Sequence, residues 1–409
     1  MERQKIVIAG AGFGGVRAAR KLAQGGVFDI TVIADRDTFR YYPALYATAT
    51  GHAYEESIIP LSEMLEGLRG VRFVKDSLTK LDSKNKRIQG ASGEWYEYDS
   101  LILALGVVTN YFGIKGLEEF SFGIKSEQEV TKFKKHIHAG IMNKQKSATN
   151  YVVVGAGPTG VEFSAALKTY TRDIADRHKA AGESDTIKLI EAMPRVLPKM
   201  PEAASRMVEK RLKKLGVEVM TGAKVEGETA DELQVNGAAI QTQTVIWTSG
   251  VANNPFFKAN ATQLKLAPNG KVQVDSFMQG ASSVYVIGDN AATPHSGLAQ
   301  TALYDADFVA RNLKRQAHRL EPLAYKPYKP PVVVPVGRWW ALVEWGPLMF
   351  AGVIGALLRR CADLIGYIDI LPFFKAIKIW LRASRREEEC PVCVAVSPAP
   401  QQHPHDADE

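Results

Sequence analysis

The chain has 409 residues, 46% hydrophobic and 23% charged, which is enough apolar material for two or three cores and too much for wholesale disorder. Three cysteines exclude a disulfide-stapled secreted scaffold, and the single CxxC pair, Cys390 and Cys393, cannot build a four-cysteine metal centre, so no metal site is expected. The formal net charge of +7 resides in residues 326–386, where ten Lys or Arg stand against three acids; the rest of the chain is balanced.

From the amino end, MERQKIVIAG lacks the long apolar stretch and small-residue cleavage site of a secretory leader, which sets the expectation of a cytoplasmic protein. KIVIAGAGFGG (5–15) is a short apolar run, a G-x-G-x-x-G turn and the opening of a helical pattern. In such a turn Gly10 allows the tight bend, Gly12 lets a diphosphate approach the backbone, and Gly15 allows close packing of the helix. Phe13 and Gly14 then fall in the first helical turn, whose free N–H groups and positive end hold the anion. A second strand, DITVIAD, ends in Asp35, twenty residues after Gly15, where a carboxylate accepts hydrogen bonds from a ribose; Arg36 follows it. LILALG (101–106) is another buried-strand candidate, with Ala104 and Gly106 at its end.

YVVVGAGPTG (151–160) repeats the grammar with Gly155, Gly157 and Gly160, and with Thr159 in the first turn of the helix. The separation is too large for a solenoid repeat and fits a duplicated domain. The matching acid is Glu191, ending TIKLIEA, but it lies thirty-one residues after Gly160. The surplus is assigned to RDIADRHKAAGESD (172–185), read as an extended helix and loop. A carboxylate at 191 disfavours the 2′-phosphate of NADP and favours NADH, with nearby Arg195 arguing the other way. VIWTSG (245–250), ending in Gly250, is the counterpart of LILALG. SVYVIGD (283–289) follows, then a helix from about Leu298 to Ala317.

Beyond the proline-rich linker AYKPYKPP (324–331), the chain is apolar with scattered arginines and holds Trp339, Trp340, Trp345 and Trp380. Basic and aromatic residues together suit an anionic membrane surface or nucleic acid; the strong apolarity and the lack of a recognition motif argue against nucleic acid. GPLMFAGVIGALL (346–358) is shorter than the roughly 20 residues a spanning helix needs, Arg359-Arg360 interrupt it, and Pro372 sits inside the apolar run that follows. The expected element is an in-plane membrane anchor, the alternative being buried helices of a soluble domain or a homodimer interface. The tail from 385 reads as disordered, with Cys390 and Cys393 as incidental thiols.

Two glycine turns plus SVYVIGD resemble the two-dinucleotide-binding-domain flavoproteins over roughly residues 1–320. The resemblance implies an α/β fold of two Rossmann-like domains, as in glutathione reductase, with FAD on the first and NAD(P)H on the second. Residues 1–115 and 275–325 are then the FAD-binding domain and 116–274 the NAD(H)-binding domain. Residues 326–384 form a mainly helical region for membrane association or dimerisation, and 385–409 the tail. Gly288 and Asp289 match the second FAD fingerprint, and Ala104-Leu105-Gly106 the ATG-like connector. No cysteine precedes Cys361, which removes the thiol–disulfide branch and fits sulfide:quinone reductases badly.

GPTGVEFSAAL, VIWTSGVANNPF, PHSGLAQTA and FRYYPALYATATG look like type II NADH dehydrogenases, the single-polypeptide NADH:quinone reductases. That resemblance implies hydride transfer from NADH to flavin N5, then two electrons to a membrane quinone without proton pumping, by a peripheral protein on the cytoplasmic side of the membrane. It sets Glu162 near the nicotinamide and flavin, as a proton relay or carboxamide-orienting group, against the alternative of an acid that suits the helix dipole. Gln300 is implied at the flavin ring. The family's A-Q-x-x-x-Q pattern is met by Ala299-Gln300, but its second glutamine is replaced by Tyr304, a bulkier donor to the acceptor. Two other readings stay open: a soluble NAD(P)H-dependent reductase of an iron–sulfur protein, and a non-enzymatic NADH-sensing flavoprotein.

Overall fold

A computed structural model describes residues 3–142, 150–177 and 186–383; the tail from 385, with Cys390 and Cys393, lies outside the described residues. Strand β1 (Gln4–Ala9) buries its last four residues, the continuous apolar run of a strand covered on both faces. Helix α1 (Phe13–Ala23) starts directly after Gly12. Arg20 and Lys21 in its last turn suit the helix dipole, and it gives way to Gly25 and Gly26, both at positive φ. Strand β2 (Phe28–Ala34), helix α2 (Tyr42–Ala49) and strands β3 (Val71–Lys75) and β4 (Ser100–Leu103) follow.

The chain then builds a second unit of the same kind. It comprises α3 (Glu127–Met142), β5 (Asn150–Val154), α4 (Pro158–Arg177), β6 (Thr186–Glu191), α5 (Glu202–Lys214), β7 (Val217–Thr221) and β8 (Thr244–Trp247). Its sheet runs β7-β6-β5-β8, all parallel. Pro158 opens α4, where its missing N–H costs nothing and its fixed φ suits the helix. At 20 residues against 11 for α1, helix α4 takes up most of the surplus between Gly160 and Glu191.

The chain returns to the first unit with β9 (Gln279–Ala281), β10 (Val284–Val286) and α6 (Ala299–Ala317). The first sheet reads β9-β10-β4-β1-β2-β3, parallel except at β9. Between the units, Val107–Thr109 pairs antiparallel with Val251–Asn253 as a two-stranded connector.

Past the linker come strands β11 (Val332–Pro335), β12 (Ala341–Trp345) and β13 (Leu348–Gly352) in an antiparallel sheet, then α7 (Val353–Ile370) and α8 (Phe373–Arg382). The region expected to be mainly helical therefore also carries a sheet. The apolar stretch 346–358 is divided between β13 and α7, and Arg359-Arg360 lie inside α7 rather than interrupting it, since arginine is a good helix former. The break falls at Pro372, between the two helices. Tyr367, Ile370, Leu371 and Ala376 are buried against Phe13, Val16, Phe39 and Tyr41, which docks both helices on the first domain. Among the described residues, no helix is long and apolar enough to cross a membrane.

Candidate active site

The two glycine turns are built alike. Gly10 has φ +103° and donates its N–H to Ile33 O at 2.7 Å; Gly155 has φ +103° and donates to Ile190 O at 2.7 Å. A Cβ on Gly10 would overlap the Ala104 carbonyl, and one on Gly155 the Ser249 hydroxyl. The third glycines, Gly15 and Gly160, pass so close to the carbonyls of Gly10 and Gly155 that no side chain fits. At the middle glycines, Gly12 and Gly157, nothing lies within 4 Å of an added Cβ. The backbone there opens onto empty space at a helix N-terminus, the arrangement a dinucleotide diphosphate requires. The residues present at each turn fit a dinucleotide diphosphate, as FAD and NADH both carry.

The neighbouring residues divide into mouth and packing. Gly12 and Thr159 are exposed, whereas the Phe13 ring is buried edge-on against Phe39 at 5.0 Å, leaving only its backbone for a ligand. Gly14 lets α1 approach Ile287 and Ala302. Asp35 is exposed at the end of β2 and holds Arg36 by contacts of 2.9 and 3.3 Å. Gly250, at φ +74°, leaves room for the Phe112 ring and Asn110 carbonyl. Both carboxylate oxygens of Glu191 accept backbone N–H groups, from Ala156 at 2.7 Å and Met193 at 2.9 Å, and retain further lone pairs. Arg195 donates to Leu197 O, Met200 O, Pro198 O and Ser205 Oγ, so its guanidinium is committed inside the domain rather than turned to a 2′-phosphate.

The connector after β4 and the Gly288-Asp289 loop are joined by a residue that sequence reasoning missed. Asn290 is fully buried; its Oδ1 accepts Gly106 N–H at 2.9 Å, and its Nδ2 donates to Gly106 O at 2.7 Å and to Asn253 Oδ1 at 2.6 Å. It thus ties both halves of the first domain to the inter-domain connector. Burial pushes the Asp289 carboxyl up, against the pull of Lys271. Gln300 is exposed in the first turn of α6. Tyr304 donates its hydroxyl to Lys326 O at 2.9 Å and packs its ring edge-on to Tyr325 and tilted against Tyr328.

Glu162 lies deeper. It is 9% exposed and lines a cavity of about 670 Å³ with Tyr46, His52, Glu56, Arg359, Asp363 and Trp380. The cavity lies between α2, α4 and the C-terminal helices. Arg359, from α7, donates to both oxygens of Asp363 at 3.0 and 3.1 Å, to Glu162 Oε1 at 3.4 Å, and to Pro43 O at 2.6 Å. Burial opposes its charge, but Asp363 and Glu162 outweigh burial and hold it firmly protonated. Burial likewise raises the Glu162 carboxyl to about 7, Arg359 offsetting only part of the cost. Tyr41 donates to Asp363 at 3.3 Å and stacks on Tyr367 at 4.3 Å. His52 meets Glu56 at 2.9 Å, and burial raises the Glu56 carboxyl. Arg359 and Asp363 could have been singled out by their i,i+4 spacing inside an apolar run. Nothing local links them to Glu162, 197 residues away.

Fold and turns together define a flavin- and nicotinamide-dependent oxidoreductase. The pyridine nucleotide-disulphide oxidoreductase family model matches residues 4–306. A type II NADH:quinone oxidoreductase of Mycobacterium tuberculosis is 32% identical over 396 residues, covering 89% of this chain and 85% of that protein. One of Staphylococcus aureus is 27% identical, covering 77% and 83%. Among solved structures, NDH2 of Plasmodium falciparum in complex with NADH superposes with TM-score 0.83 at 18% identity, covering 93% of this chain and 97% of that one. The sulfide:quinone oxidoreductase of Aquifex aeolicus gives TM-score 0.76 at 19% identity, covering 95% and 98%. The chain belongs to the type II NADH:quinone oxidoreductases, within the pyridine nucleotide-disulphide oxidoreductase family. It is an enzyme, with FAD as cofactor and NADH as substrate.

Proposed function

We propose that this protein carries electrons from NADH to a membrane quinone while lying on the cytoplasmic side of the membrane as a peripheral protein. The observation that carries the site-level reading is Glu162: it stands two residues past the second glycine turn and, by way of the cavity, faces an arginine supplied by the C-terminal region. Bound FAD supplies the hydride acceptor and the two-electron donor.

The first turn (Gly10, Gly12, Gly15), with the backbone of Phe13 and Gly14, holds the FAD diphosphate. Asp35, with Arg36, holds a ribose, and Ala104, Gly106, Gly288 and Asp289 flank the ribityl chain. Gln300, exposed at the start of α6, would serve the flavin ring. Gly155, Gly157, Thr159 and Gly160 hold the NADH diphosphate, and Glu191 takes the ribose hydroxyls on its free lone pairs. Gly250 lets the loop close against that site. With its carboxyl near 7, Glu162 both holds and releases a proton at neutral pH, as quinone reduction demands. Arg359 and Tyr46 present donors to the same space, while Arg359 keeps Glu162 from becoming permanently neutral.

The exposed side chains of the C-terminal region support the membrane reading. Phe373 and Phe374 are 55% and 84% exposed on α8, beside Lys375, Lys378 and Arg382; Val353, Ile354, Leu357 and Ile365 are exposed on α7. Apolar residues interleaved with lysine and arginine on short helices suit an in-plane anchor at a bilayer surface. A second copy of the chain is the competing occupant of that face.

Anaerobic NADH should bleach the purified yellow protein, and a short-chain quinone should restore its colour. Turnover with ferredoxin but not quinone would favour the soluble iron–sulfur reductase. Vesicle sedimentation separates membrane from dimer: a protein that stays in the supernatant as a dimer argues against the anchor.

A further inference from the structure

The linker between the FAD-binding domain and the C-terminal sheet lacks regular structure over 320–331, yet it is tied repeatedly to α6. Arg315 Nε donates to Glu321 O at 2.7 Å. Asn312 and Leu323 exchange two bonds of 2.9 Å. Tyr304 donates to Lys326 O at 2.9 Å. Between these ties, the ring of Tyr325 packs edge-on against Phe308 at 5.1 Å and Tyr304 at 5.9 Å.

The Tyr325 hydroxyl donates to Asp305 Oδ1 at 2.6 Å. The other oxygen, Oδ2, accepts the N–H of Gly288 at 3.0 Å. Asp305 has no solvent exposure. Gly288 has φ +65° and opens the loop that presents Asp289; the Ala302 methyl lies 3.1 Å from where its Cβ would be. Burial pushes the Asp305 carboxyl up to about 6, which leaves it ionised at neutral pH as a double acceptor. A buried carboxylate with two donors is costly to disturb, because losing either leaves charge uncompensated.

We propose that Asp305 is the positioning residue for the Gly288-Asp289 loop and that Tyr325 orients it, which makes the linker part of the FAD site. Tyr304, where the family pattern carries its second glutamine, then serves as the backing of this strap. The inference rests on the reading of that loop as FAD-binding.

The test follows FAD release from diluted holoenzyme by the fluorescence of free flavin, together with the visible spectrum of the bound flavin. Tyr325→Phe keeps the ring packing and loses the hydroxyl; its FAD dissociation constant should rise three- to tenfold and its flavin band should shift. Asp305→Ala should raise the constant more than tenfold, or about 1.4 kcal/mol per factor of ten. Asp305→Asn keeps an acceptor for Gly288 and should stay within threefold of wild type, whereas Asp305→Leu keeps the bulk but offers no acceptor and should match Asp305→Ala, a split that loss of packing alone would not produce. Unchanged release and spectrum in Tyr325→Phe overturn the proposal, and that variant decides the matter if Asp305→Ala does not fold. A wild type that holds no FAD overturns the cofactor reading as well; a wild type that holds FAD alongside unaltered variants overturns this inference alone.

Discussion

Replacing Glu162 by Gln removes a carboxyl of the cavity that burial holds near neutral pH. Its folded value of about 7 lies some 2.5 units above the ordinary 4.5. A carboxyl raised in this way binds more protons folded than unfolded. Its contribution to stability is therefore full below about pH 4.5 and lost as pH rises to about 7. At about 1.36 kcal/mol per unit the loss reaches roughly 3 kcal/mol, and at 11% side-chain exposure little of it is screened. Glutamine keeps an amide oxygen that can accept from Arg359 across the 3.4 Å contact, so what differs between variant and wild type with pH is the carboxylate charge. Relative to wild type, the variant should thus gain about 3 kcal/mol between pH 4.5 and pH 8. For a chain of this length, with unfolding entropy of roughly 2.1 cal/mol/K per residue, that is a change of about 3–4 °C in the Tm difference. Thermal melting of both holoenzymes across that range measures it. The pH profile of kcat/KM for quinone should lose its inflection near 7 at the same time. A Tm difference that stays constant from pH 4.5 to pH 8 would show that the carboxyl is not perturbed, and the proton-holding role would fall with it.

Three further outcomes follow from the geometry. Gly157→Ala places a methyl in open space, so Tm should be unchanged while the KM for NADH rises at least tenfold; Gly160→Ala meets the Gly155 carbonyl and should lower Tm as well. Arg17 grips Asp307 at 2.7 and 2.9 Å and Asp369 at 2.9 Å, so Arg17→Met should cost about 2–4 kcal/mol and expose α7 to proteolysis before the rest of the chain. Phe374→Glu adds a charge at an 84% exposed position, where folding is indifferent; it should weaken vesicle binding at least tenfold with flavin content unaltered, as sedimentation would show.

Legibility in the sequence follows the range of the interactions. The turns at Gly10 and Gly155 were readable because strand, bend and helix are contiguous, and each glycine answers to an atom a few residues away or on the next strand. The surplus before Glu191 was readable as a longer helix for the same reason. The three-stranded sheet was not: β13 and the start of α7 form one apolar run, and only pairing with Ala341–Trp345 separates them. Nor were Asn290 and Arg359, whose partners lie across domain boundaries, or Asp305, whose partners Gly288 and Tyr325 stand 17 and 20 residues away in loops without a repeating spacing. Charge in an apolar stretch reads as an interruption because one of the two carboxylates that accommodate Arg359 comes from 197 residues earlier.

The reach of Arg359 across to Glu162 limits how such a protein can be rearranged. A graft of residues 326–383 from a relative would import not merely a different surface but a different electrostatic setting for the carboxylate that lines the cavity. The graft would retain the original pH response only if it brought a cation to the same spot, so this appendage and the catalytic body have to change in step.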